Sequence, residues 1–134
     1  MRRRFIPGLN VQTPWARLLI CGKKTVETRF YPLPTKYVGK EMAIVETPGK
    51  TGAFRSHIIG IVVFGESFLY QNRKQFQSDG GRHLVPPKSK FGWNDARGKK
   101  WGWPLLHVHA LVTPKPCVGR GGVVYWRRVA VPGK

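Results

Sequence analysis

Acidic side chains are scarce in this chain. Six Asp and Glu face 24 Lys and Arg, a formal net charge of +18 with a sequence pI near 10.9. Such an imbalance builds a positive field that steers polyanions and holds them by counterion release. A merely soluble basic protein has no need of the self-repulsion that comes with it, so nucleic acid is the leading partner. Cysteine is nearly absent too. Cys21 and Cys117 are too few for a disulfide scaffold and lack metal-ligand spacing, which points to a reducing, cytoplasmic setting. No apolar run approaches the roughly 20 residues of a membrane span. No apolar segment follows Met1-Arg2-Arg3-Arg4, so a signal peptide is not expected. Residues 1–8 are read as a short basic arm and residues 9–134 as one domain. Internal repeats and linkers are missing as well.

A hydrophobic content of 41% and an aromatic content of 12% suffice for a packed interior. Thr13 reads as an N-cap and Pro14 as the first residue of a helix through Cys21, which Gly22 closes in a left-handed conformation. Strands are expected at Thr25–Arg29, Met42–Glu46, Ile58–Phe64, Leu105–Val112 and Val123–Val131, with a short helix over Gln71–Phe76. Thr47-Pro48-Gly49 and Gly119-Arg120-Gly121-Gly122 read as turns. The fold class is mainly β with an early helix (α+β), arranged as a small, partly closed β-barrel.

Three motifs fall away on physical grounds. Gly49-Lys50-Thr51 resembles the end of a phosphate-binding loop, but Ile44 stands where its first glycine belongs. His107 and His109 share a strand face without a nearby third ligand, so no metal and no cofactor are expected. The glycines around Arg120 suit a hairpin better than a phosphate cradle.

The informative stretch is Gln12 to Arg29. Thr25, Glu27 and Arg29 share one face of a strand at steps of about 7 Å, with Val26 and Thr28 on the other. The tight turn at Gly22 brings Lys24 near them. Lysine and arginine can hold a phosphate or a base carbonyl, and glutamate can accept from an exocyclic amine. Lys24 and Glu27 could equally act as an acid–base pair, or the group could be an exposed ion pair of little energetic weight. On the residues alone, these readings stand open.

Gly22-Lys23-Lys24-Thr25-Val26-Glu27-Thr28-Arg29 resembles the Gly-x-Lys-x-x-Glu-x-Arg signature of the ASCH domain family, in the PUA-like superfamily. Gln12-Thr13-Pro14-Trp15-Ala16 is similar to the helix start of that family, so the likeness covers roughly residues 9–29. Weaker likeness continues at Gly39-Lys40 into Met42, at Gly60 to Glu66, and at Trp101-Gly102-Trp103-Pro104-Leu105. The resemblance implies a PUA-like β-barrel whose basic cleft, beside the first helix, recognises RNA or a modified nucleoside. Gly22, Lys24, Glu27 and Arg29 would line it, with Trp15 beside them. Some members resemble amidohydrolases of acetylated cytidine that use a lysine, a threonine and a glutamate. Lys24 would be that lysine, Glu27 occupies the threonine position, and Glu66 is a candidate for the downstream glutamate. Other members are linked to ribonuclease activity. A binding module is therefore the leading expectation, with Lys24 and Glu27 the catalytic candidates of the enzymatic alternatives. A structural role on the ribosome would share the charge without requiring the Lys24–Glu27–Arg29 group.

Asp79 to Pro104 carries Arg82, Lys88, Lys90, Arg97, Lys99 and Lys100 between Phe91, Trp93, Trp101 and Trp103. Interleaved cations and rings suit single-stranded nucleic acid, because bases stack while phosphates meet the charges. Trp103 and Trp101 adjoin an apolar strand and are expected to be at least partly buried. Trp93 is the expected stacking ring, and Arg97, Lys99 and Lys100 extend the positive surface.

Overall fold

The β-branched run His57–Phe64 forms the centre of the architecture. A computed structural model describes residues 2–49, 52, 54–117 and 124–133. In chain order the strands are β1 (Arg3–Gln12), β2 (Val26–Arg29), β3 (Glu41–Thr47), β4 (His57–Phe64), β5 (Phe68–Leu69), β6 (Trp101–Pro116) and β7 (Tyr125–Pro132). β4 is flanked by antiparallel partners, β3 on one side and β6 on the other, which explains why most of its side chains are buried. β1 runs parallel to β3, from Gly8 opposite Ala43 to Gln12 opposite Thr47. β7 closes that margin antiparallel to β1. At the other margin β2 pairs with the first residues of β6, Glu27 lying opposite Trp103 and Arg29 opposite Trp101. β5 also pairs with β6.

The resulting order, β2-β6-β4-β3-β1-β7, leaves the sheet open. This corrects the expected barrel. β2 is only four residues long and its chain leaves the sheet after Arg29, so among the described residues it makes no strand pairing with β7. The expected basic arm over residues 1–8 is corrected as well. Arg3 already begins β1, Ile6 is buried against Val129 and its neighbours, and Arg4 donates twice to the Glu41 carboxylate at 2.6 and 2.9 Å. The arginines mask a strand whose apolar residues start at Phe5.

Among the described residues three α-helices accompany the sheet: α1 (Trp15–Ile20), α2 (Arg73–Ser78) and α3 (Gly80–His83). Pro14, not Thr13, occupies the capping position of α1, and Gly22 has φ +82°, a conformation glycine adopts without Cβ strain. α2 begins two residues later than expected, because the Asn72 side chain accepts from Gln75 N at 2.8 Å. Expected strands over Leu105–Val112 and Val123–Val131 are parts of β6 and β7, while Val123 and the Gly119–Gly122 turn lie outside the described residues.

Apolar side chains fill both faces of the sheet. α1 lies on one face, where Leu19 packs with Met42, Ile44, Val62, Phe64 and Trp103. The opposite face buries Ala43, Val45, Ile61 and Val129. A third cluster of Tyr70, Phe76 and Val85 carries Trp15, Phe91 and Trp93 against it. Among the described residues no helix is long and apolar enough to cross a membrane.

Candidate nucleotide-binding cleft

The end of β1, the start of α1, β2 and the segment before β6 surround a cleft of about 500 Å³. Its floor is the charged stretch after Gly22. The Lys24 backbone N–H donates to Leu18 O at 2.9 Å, which turns the chain from α1 into β2 and aims the lysine inward. Lys24 and Glu27 are both buried, at 1% and 5% exposure. The Lys24 Nζ donates to the backbone oxygen of His83 and lies 3.6 Å from Glu27 Oε1. It also sits 5.2 Å from the centroid of the Trp15 ring.

Glu27 is shared between two cations. Its Oε2 accepts from Arg29 Nη2 at 2.9 Å and from Nε at 3.2 Å, and its Oε1 accepts from Thr28 N at 3.2 Å. Arg29 further donates to Asn10 O at 2.9 Å and to the Tyr31 hydroxyl at 3.3 Å. Its guanidinium lies 5.5 Å from the centroid of Trp103, the buried ring beneath the site. Burial alone would raise the Glu27 carboxyl, but Arg29 and then Lys24 outweigh it and hold the group below the usual carboxylate range. Burial pushes the Lys24 ammonium down, and Glu27 only partly offsets that. The three side chains thus form a desolvated, fully connected polar chain.

Above this floor stand rings and further cations. Phe30, Tyr31, Phe91 and Trp15 border the space. Arg97 and Lys100 each lie 4.1 Å from the centroid of the Phe30 ring. Lys100 is buried, donates to Phe91 O at 2.9 Å, and is pushed down to about 8, chiefly by burial. Such a site can stack a planar ring, accept from an amine through Glu27, and attract an anion.

Trp15, Lys24, Glu27, Arg29, Arg97 and Lys100 therefore meet in one cleft, and four other candidates do not. Gly22 shapes the turn and does not border the space. Glu66 is exposed beyond the end of β4, outside the cleft. Lys99 is exposed, the last of the exposed run 94–99 that precedes β6, while the next residue, Lys100, is buried and borders the cleft. Trp93 packs on the third cluster, 6.1 Å from the Phe76 ring, and its indole N–H donates to Asp95 Oδ1 at 2.7 Å. The ring expected to stack on a base is thus committed to packing. Trp103 is fully buried and Trp101 partly so, matching expectation.

Several cleft residues escaped the sequence reading. Asn10 and Gln12 close β1, a strand whose charged start hid it, and Thr47 ends its parallel neighbour. Thr28, assigned to the opposite face, also borders the space. Phe30-Tyr31, directly after the signature strand, is the aromatic pair in the sequence that signals this rim.

No protein-family profile and no curated protein matches the chain. Solved structures do. The ASCH protein of Zymomonas mobilis superimposes with a TM-score of 0.62 at 18% identity, over 82% of this chain and 72% of that one. Two singly substituted forms of that protein match with TM-scores of 0.58 and 0.59, both at 16% identity and over 82% of this chain, covering 72% and 74% of theirs. At such identities the likeness speaks for architecture, and the chain has the fold of these ASCH structures.

Proposed function

We propose that the protein binds RNA by taking a base, natural or modified, into the cleft. The observation that carries this reading is the buried Lys24–Glu27–Arg29 chain at the floor of a cleft rimmed by aromatic rings and cations. A base inserted between rings gains stacking of about 1–3 kcal/mol, and its polar edge meets donors from Lys24 and Gln12 and the Glu27 acceptor. The overall charge of +18 supplies sequence-independent attraction for the remaining strand. The test is retention of labelled single-stranded RNA and of acetylcytidine by the purified protein, with analysis of products. Binding without chemical change supports the reading, and failure to bind either ligand removes it.

A second reading is an enzyme of the same fold, an acetylcytidine amidohydrolase or a ribonuclease. It is favoured by the buried ammonium of Lys24, lowered by desolvation and 3.6 Å from a carboxylate that could exchange its proton. Glu66 stands outside the cleft, so this reading leaves Lys24 and Glu27 as its titratable pair. Deacetylated cytidine, or cleaved RNA, in the same assay would establish it.

A further inference from the structure

The cleft's charges do not balance. Among the described residues four cations border it, Lys24, Arg29, Arg97 and Lys100, against the single carboxylate of Glu27. Glu27 is already engaged by Lys24 and Arg29, and Arg29 also donates to Asn10 O and the Tyr31 hydroxyl. Lys100 differs from both. The residue is 2% exposed, yet among the described residues it forms no ion pair and makes one hydrogen bond, to Phe91 O. An ammonium has three donors, and burying its charge without an anionic partner costs several kcal/mol on general grounds. Arg97, exposed and set on the same Phe30 ring, makes no ion pair among the described residues either.

We propose that Lys100 and Arg97, set around Phe30, form an anion subsite that takes the phosphate of the bound nucleotide. The subsite rests on the reading of the cleft as a base-binding site and names what that site prefers: a phosphorylated nucleotide over the neutral nucleoside. The base lies over the Lys24–Glu27–Arg29 floor, and its phosphate reaches the Phe30 rim. There it supplies the negative charge that the buried ammonium lacks, through charge-assisted hydrogen bonds. Burial lowers the Lys100 ammonium to about 8, so an anion placed beside it would favour its charged form. Binding of a phosphate should raise it again and draw in a proton near that pH.

Calorimetry with each of the four common ribonucleosides, with acetylcytidine, and with their 3′- and 5′-monophosphates tests the subsite. For the nucleoside that binds, one of its monophosphates should bind at least about tenfold more tightly at neutral pH, the scale of one charged hydrogen bond. Arg97→Gln and Lys100→Met should each reduce that ratio several-fold, whereas Lys99→Met, at an exposed residue outside the cleft, should leave it unchanged. Arg97 is exposed, so its variant remains informative if the Lys100 variant fails to fold. Equal affinity for nucleoside and nucleotide overturns the subsite and leaves the base-binding reading standing. No binding of any of them overturns both. Inorganic phosphate that competes as strongly as the monophosphate overturns the nucleotide preference in favour of a simple anion site.

Discussion

The Glu27 carboxylate lies 3.6 Å from the Lys24 ammonium and 2.9 Å from the Arg29 guanidinium, and none of the three groups is free in solvent. An exposed ion pair of that kind would contribute about 0–1 kcal/mol. Burial changes the balance, because each ion has lost its hydration and depends on the others. The proposed function and folding are therefore joined at this site: the residues proposed to read a ligand also form an ion network buried within the fold.

Glu27→Ala should consequently destabilise the fold by about 3–5 kcal/mol, since it leaves two buried cations facing one another. Had the group been exposed, the same change would impair binding alone. Lys24→Met keeps the volume and leaves Glu27 paired with Arg29, so its stability cost should be smaller, about 1–3 kcal/mol from the unpartnered His83 oxygen. Urea midpoints of the two variants check the order. A Glu27→Ala protein as stable as wild type would show that the carboxylate is not integral to the fold.

Trp93→Ala should lower stability by roughly 1–3 kcal/mol and leave RNA affinity within about twofold, because the ring packs against Phe76 instead of facing the cleft. Thermal melts and RNA titrations on the one variant separate the outcomes. A tenfold loss of RNA affinity at unchanged stability would return Trp93 to the binding surface.

The signature stretch was legible because its information is local. The Gly22 turn, the period of β2 and the proximity of Lys24 to Glu27 all follow from a dozen consecutive residues. Ile58–Phe64 was legible for the same reason, being apolar throughout. What escaped depends on contacts distant in sequence. β1 is a strand because β3 and β7 pair with it on both sides, although Arg3 and Arg4 make its start look like a basic arm. The open sheet reflects a pairing that is not made, which no window of residues reveals. Adjacent Lys99 and Lys100 look alike in sequence, yet one is exposed and the other is buried beneath the Phe30 rim.

RNA binding should weaken steeply with salt. Each neutralised phosphate of a single strand contributes about −0.7 to the slope of log affinity against log salt, and several contacts give a slope of roughly −2 to −5. Affinities between 50 and 400 mM salt, on the order of that range, measure it. A flat response would mean that hydrogen bonds in the cleft carry binding and that the surface charge takes no part.

Lys100 gives stability a pH dependence of a definite sign. Its ammonium is lowered from the ordinary 10.5 to about 8, mainly by burial, with Arg29, Lys24 and Arg97 adding repulsion and Glu27 opposing. Below pH 8 the group is protonated in both folded and unfolded chains, and the fold bears the full cost of a buried charge. Between about 8 and 10.5 the folded protein releases the proton while the unfolded chain still holds it, so this cost shrinks as pH rises. Above that window both forms are neutral and the cost is gone. The gap between the two values corresponds to about 3 kcal/mol. Lys100→Met, which keeps the apolar stem and removes the charge, should therefore be more stable than wild type at pH 7 by an amount approaching that figure, less the lost bond to Phe91 O. The advantage should vanish by about pH 10.5. Denaturant unfolding of both proteins across that range supplies the measurement. A variant less stable than wild type at neutral pH would show that the buried ammonium is already compensated within the fold.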